Sequence, residues 1–258
     1  MQKRRSNLYS PSATEPFKVS RSKIDLFLEC AQCFYVDRKL GISRPSIPGY
    51  TLNSAVDALF KNEFDVLREQ KKPHQLMQKY GIDAIPFWHP QLAVWRDDMN
   101  QKMGASIIHK PTNFMIHGMV DDIWQNVKTQ ELHIVDYKST STYGEVSLDG
   151  EYKEGYKRQI EIYQWIFQQL GFNISKTGYF VYANGIKDYG KTFNDKLEFK
   201  TSILSYTGEN SWVEPTILKI KKCLDANQIP ESGANCEYCA YRKLIGNESL
   251  KNQISLSL

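Results

Sequence analysis

The residues best suited to chemistry are two acids and a lysine, Asp121, Asp136 and Lys138, in the stretch 117–138 that reads HGMVDDIWQNVKTQELHIVDYK. Carboxylate oxygens are the ligands that hard ions such as Mg2+ and Mn2+ prefer, and the carbonyl of Tyr137 offers a further oxygen beside them. An ion held there lowers the pKa of a bound water and polarises a phosphate. Lys138 can orient that water or stabilise charge developing on the phosphoryl oxygens. The expected chemistry is metal-dependent hydrolysis of a phosphodiester. Asp-x-Lys alone is a weak signal, because an acid and a base exposed at a strand end arise often by chance.

A second cluster is made of sulfur. Four of the five cysteines form two C-x-x-C pairs, Cys30/Cys33 and Cys236/Cys239. Paired thiols of this kind read as metal ligation more readily than as a disulfide framework. Four thiolates satisfy either tetrahedral Zn2+ or a four-iron–four-sulfur cluster, and the two symmetric pairs taken alone favour zinc. Cys33 and Cys236 are 203 positions apart, so a shared site clips the two ends of the domain together and closes a very large loop. Cys223 falls in the apolar stripe of its helix and reads as a small core residue.

These groups need elements to hold them. Residues 132–138 read as a strand, and its two-residue period sends Asp136 and Lys138 to one face. Residues 114–124 also read as extended, with Gly118 permitting close backbone approach and Asp121 placed where a hairpin partner carries it towards Asp136. A helix capped by Ser20 runs through Ile24, Phe27 and Leu28 to Phe34 and gives Cys30 and Cys33 a common face. A second helix, 54–68, carries Val56, Leu59, Phe60 and Phe64 as its apolar stripe, with Asp57, Glu63 and Asp65 as carboxylates and Glu63 on the solvated side.

The spacing of Ile160, Tyr163, Ile166, Phe167 and Leu170 predicts a long amphipathic helix over 154–170, stopped by Gly171. Gln159 and Tyr163 are four apart on it and share a face, able to present an amide and a phenol to a substrate phosphate or to the lysine. Residues 176–183 and 197–206 read as strands, with a turn beginning at Asn184-Gly185, and 212–224 as a helix. The fold class is mixed α/β.

The chain has 258 residues, 41% of them hydrophobic, enough for one substantial domain. We place it at 18–245, between a flexible basic arm at 1–17 with Lys3, Arg4 and Arg5 and a polar tail at 246–258. Net charge is +4, which permits a polyanionic partner without requiring one. No apolar run is long enough to cross a bilayer and the start lacks the apolar centre of a secretory signal, so a cytoplasmic protein with no membrane partner is expected.

In four pieces, taken in order, the chain resembles the PD-(D/E)XK nuclease superfamily in its RecB-like branch, which includes CRISPR-associated exonucleases. SRSKIDLFLECAQCFYVDRKLG is similar to the branch's opening helix, with Cys30 and the aromatic pair Phe34-Tyr35. Gly118-Met119-Val120-Asp121 followed by Val135-Asp136-Tyr137-Lys138 matches the metal motif. Gln159 to Tyr163 matches the Gln-x-x-x-Tyr helix, and Cys236 to Arg242 resembles the terminal Cys-x-x-Cys-x-Tyr-Arg signature. Ordered co-occurrence is far more specific than any one motif.

The resemblance implies a restriction-endonuclease-like core, a central mixed sheet flanked by helices with the carboxylates on its two central strands. It implies a nuclease, exonuclease-like and using one or two metal ions, acting on single- or double-stranded DNA, with DNA repair, phage biology and CRISPR adaptation all open as its pathway. It also implies an iron–sulfur cluster at the cysteines.

The chain departs from the branch's pattern twice. Where a histidine often completes the metal ligands, Ala55-Val56 is followed by Asp57, which could still ligate through oxygen. Where a last cysteine is usual stands Ile245, while Cys33 adds a thiol at the other end. The alternative is therefore a nuclease-fold DNA-binding or assembly protein, catalytically weak or inactive, with a structural cysteine metal site.

Overall fold

The computed structural model describes residues 6–46, 48–97, 103–188, 190 and 192–255. Lys3, Arg4 and Arg5 of the expected arm and residues 256–258 of the expected tail lie outside the described residues. In chain order the elements are β1 (Phe17–Ser20), α1 (Arg21–Glu29), α2 (Ala31–Arg38), α3 (Thr51–Gln70), α4 (Gln75–Lys79), β2 (Ala84–Pro86), α5 (Leu92–Asp97) and β3 (Ala105–His109). There follow β4 (Phe114–Gly118), β5 (Asp122–Asn126), β6 (Leu132–Thr140), α6 (Glu154–Gln169), β7 (Thr177–Gly185), β8 (Phe199–Thr207), α7 (Val213–Asp225) and α8 (Glu237–Ser255). No helix among the described residues is long and apolar enough to cross a membrane.

The chain forms two compact units, one of residues 1–47, 108–115 and 214–258, the other of residues 48–107 and 116–213. The second unit is built on a five-stranded sheet in the order β2-β5-β6-β7-β8, in which β6 and β7 run parallel and the other neighbours antiparallel. The architecture is mixed α/β, as expected. Alternation along β6 divides the work of its two faces. Val135 and Tyr137 join Val181 and Ala183 of β7 in a core against Phe60, Phe64 and Trp124, with α3 as its cover.

The opposite face carries Asp136 and Lys138, whose Cα partners on β7 are Phe180 and Tyr182. Helix α6 buries Ile160, Ile162 and Tyr163. Its close approach depends on Gly178, where an added Cβ would stand 2.6 Å from Ile160 Cγ2 and 3.0 Å from the Ile134 carbonyl.

In the first unit, Tyr9 packs edge-on against Phe17 at 5.2 Å and against Phe114 at 6.1 Å, and all three rings are buried. The apolar content of residues 6–17 is therefore ordered by tertiary contact, a correction to the expected flexible arm.

Other expectations are corrected as well. The opening helix breaks at Cys30, an extended residue whose sulfur accepts the N–H of Cys33, so the two cysteines belong to a cap rather than to one helix face. The stretch 114–124 is two strands, β4 and β5, in different sheets. Between them Val120 donates its N–H to the Trp95 carbonyl. The close approach here depends on Gly104, where an added Cβ would lie 2.2 Å from the Gly118 oxygen.

Asn184-Gly185 ends β7 rather than starting a turn. The buried Asn184 is satisfied by two hydrogen bonds with the Thr142 backbone, at 2.9 and 3.1 Å. Leu59, expected in the apolar stripe of α3, is 67% exposed. Helix α8 continues to Ser255 through most of the expected polar tail.

Candidate functional site

The β5–β6 pairing sets Asp122 opposite Val135, which brings Asp121 alongside Asp136. Asp121 Oδ2 accepts the backbone N–H of Tyr137 at 2.8 Å. Asp136, itself buried, accepts the Gln159 amide through Oδ1 at 2.6 Å and forms an ion pair with Lys138 through Oδ2. Burial first, and then the charge of Asp136, push Asp121 up to about 7, while Lys138 and the Tyr137 N–H pull the other way. Two converging carboxylates, one of them held partly protonated by burial and then by repulsion, form an all-oxygen set that a hard divalent cation would satisfy.

Tyr163 is directed inwards. Its hydroxyl donates to the Met119 carbonyl at 2.6 Å and the side chain is buried. The face shared by Gln159 and Tyr163 thus grips Asp136 on one strand and the connection leading to Asp121 on another. In this arrangement neither polar group points to solvent as a free substrate contact.

Asp57 stands apart from this pair. Its carboxylate is bound by Lys61 at 3.1 Å, and Lys61 also holds Asp97 at 3.0 Å. Burial and the charge of Asp121 push Asp57 upward, so the two sense one another electrostatically. Among the described residues, however, the ligand atoms of Asp57, Asp121 and Asp136 do not converge within 4.8 Å; only the four cysteines do so as a group.

Beneath the centre lies a polar network that sequence reasoning missed. Asp122 is fully buried and receives the Ile123 N–H at 2.9 Å, the Tyr137 hydroxyl at 2.8 Å and the guanidinium of Arg68. Arg68 also donates to the Phe87 carbonyl at 2.7 Å, and Arg96 binds Asp65 at 2.6 Å and stands 4.0 Å from Asp122. Burial holds Arg68 below the usual guanidinium value, and burial with Asp122 raises the Tyr137 phenol. The signal was available: Arg68 continues the Phe60–Phe64 stripe at a spacing of four, which places a guanidinium on a buried face.

The cysteine centre belongs to the first unit. Sulfur–sulfur distances are 3.7 Å for Cys30–Cys239, 3.6 Å for Cys33–Cys236 and 3.5 Å for Cys33–Cys239. All four sulfurs lie within 4.8 Å of one another and all are unbridged thiols. Burial would raise Cys30, but the N–H groups of Gly233 and Cys33 point at its sulfur and hold it at about 6. Gly233 must be glycine for this: an added Cβ would stand 2.2 Å from the Glu29 carbonyl. Arg44 reaches Cys236 Sγ at 3.5 Å while stacked on Tyr238 and paired with Glu29 at 2.8 Å. Backbone donors and a guanidinium around converged sulfurs are what thiolates require.

One ion at 2.3 Å from four tetrahedral sulfurs separates them by about 3.8 Å. Three of the six spacings lie at 3.5–3.7 Å, near that value, and the rest are within 4.8 Å. A cluster with one thiolate on each iron spreads its sulfurs further apart.

Comparison with known proteins yields one family. The family model described as the PD-(D/E)XK nuclease superfamily matches residues 51–244. No curated protein matches the chain. Among solved structures, the chain is similar to a protein from Eubacterium rectale provisionally named an exonuclease, at 16% identity over 93% of each chain with a TM-score of 0.42.

Proposed function

Because the chain belongs to the PD-(D/E)XK nuclease superfamily, we propose that it is a Mg2+- or Mn2+-dependent deoxyribonuclease of the RecB-like branch, hydrolysing phosphodiesters from DNA ends. The observation that carries the reading is the convergence of Asp121, Asp136 and Lys138 on adjacent strands, with Gln159 bound to Asp136.

Asp121 and Asp136 would hold the divalent ion, with the Tyr137 carbonyl beside them. When bound, that ion polarises the scissile phosphate and lowers the pKa of water. Gln159 fixes the Asp136 carboxylate through Oδ1 and leaves Oδ2 to Lys138. Tyr163 fixes the Met119 carbonyl, and with it the connection that positions Asp121. Lys138 brings an ammonium to the same point, where it can hold the attacking water or take the charge growing on the phosphoryl oxygens.

Incubating purified protein with single- and double-stranded DNA and each metal tests the proposal. Cleavage should fall by a factor on the order of 100 or more in Asp136→Asn and Lys138→Met. Cleavage that either variant leaves intact would overturn it. One observation favours the alternative of a catalytically weak DNA-binding or assembly protein: Asp57, in the position of the branch's histidine, is occupied by Lys61. That alternative predicts salt-sensitive DNA binding with no metal-dependent turnover.

For the cysteines we propose a single Zn2+ in preference to the iron–sulfur cluster that the branch implies, on the sulfur spacings. Zinc in a one-to-one ratio and a colourless protein support this. Visible charge-transfer absorption lost in Cys236→Ser would restore the cluster.

A further inference from the structure

A 3-10 turn, Glu151–Lys153, precedes α6 and turns Lys153 into the protein. Its ammonium donates to the Tyr182 hydroxyl at 3.1 Å and lies over three rings, those of Tyr152 at 4.9 Å and of Tyr156 and Tyr182 at 5.1 Å. Lys138 shares this surround: its ammonium lies over the same Tyr156 ring at 4.6 Å, and its Cα partner on β7 is Tyr182. The two lysines differ in one respect. Lys138 is paired with Asp136, whereas Lys153 has no carboxylate partner among the described residues.

A buried cation without a counter-ion is costly, and ring faces offset only part of that cost. Burial and the neighbouring charge of Lys138 hold Lys153 below the usual lysine value. An ammonium has three donors and Tyr182 accepts one of them. Among the described residues no anion meets it. Tyr152, whose ring meets the same ammonium, is 73% exposed.

We propose that Lys153 and Tyr152 form a nucleotide subsite beside the centre, Lys153 taking the phosphate next to the scissile one and Tyr152 stacking on an unpaired base. This rests on the nuclease reading and narrows it to single-stranded substrate or a frayed end. In a duplex both faces of each internal base are already stacked, so only an unpaired base can lie on the ring.

The test is fluorescence anisotropy of a labelled oligothymidylate with the full chain in EDTA, where no cleavage competes, over a series of salt concentrations. Lys153→Met should weaken binding about 10- to 100-fold, lower the salt slope by about 0.7, and be rescued by Lys153→Arg. Tyr152→Ala, at an exposed position, should weaken binding roughly 5- to 100-fold with the slope unchanged, and should leave blunt duplex binding as it was. The inference is overturned if both variants bind like the parent, or if Lys153→Met loses affinity with an unchanged slope and no rescue by arginine, the signature of a structural role. Failure of the nuclease reading is seen separately, as absence of cleavage dependent on Asp136 while the anisotropy result stands.

Discussion

Asp121 Oδ2 and the N–H of Tyr137 are hydrogen-bonded at 2.8 Å, so the first acid of the centre is fastened to the strand that carries the second acid and the lysine. The bond holds two like charges together against their repulsion. Burial first, and that repulsion second, raise Asp121.

A stability profile should expose it. An unfolded aspartate titrates near 3.9, while Asp121 in the folded chain titrates at about 7. Between those values the folded state keeps a proton that the unfolded state has released. The contribution is therefore fully present below about pH 4 and is lost as pH rises through 7. In EDTA, Tm should fall between pH 5 and 8, and Asp121→Asn should flatten that fall. Added Mg2+ should raise Tm more at pH 8 than at pH 5. Parallel profiles for parent and Asp121→Asn would contradict the account.

Asp122 is the only described carboxylate placed against both Arg68 and Arg96 that is itself fully buried. Removing it leaves the buried guanidiniums with the half-exposed Asp65 as their shared counter-ion. Asp122→Ala should cost about 3–5 kcal/mol in urea unfolding, and a loss well under 1 kcal/mol would show the network to be solvated.

Gln159 and Tyr163 should separate in their effects. Gln159→Ala frees the Asp136 carboxylate and should lower metal affinity or cleavage about 10- to 100-fold. Tyr163→Phe deletes one buried hydrogen bond and should cost about 0.5–1.5 kcal/mol of stability with KM unchanged. A raised KM in Tyr163→Phe would place the phenol on substrate instead.

Arg44 supports the cysteine centre from outside its ligands. Arg44→Ala should weaken metal retention about 10- to 100-fold in a chelator competition, and unchanged release would assign it to packing on Tyr238 alone.

The strand 132–138 was legible because burial on both faces leaves a short apolar run, the helix 154–170 because its apolar residues recur at three and four, and the cysteines because paired thiols have few structural uses. The network of Asp122, Arg68 and Arg96 left no such period, since its members come from three separate elements and are polar. The depth of Asn184 was hidden for a related reason: it is set by hydrogen bonds with a residue distant in sequence, the Thr142 backbone. Asp121 and Asp122 are adjacent and chemically identical in sequence, and only the alternation of the extended backbone at the start of β5 separates one facing the centre from one sealed beneath it.

The two cysteine pairs bracket in sequence every residue of the unit that holds Asp121, Asp136 and Lys138. On a ribosome the strands and α6 emerge while Cys30 and Cys33 still wait for their partners, a delay of about ten seconds or more at ordinary rates of synthesis. Maturation of this chain should then proceed in two acts, an early collapse of the sheet unit and a late, metal-limited closure. Cells starved of the ion should accumulate a protease-sensitive form whose sheet unit is already resistant.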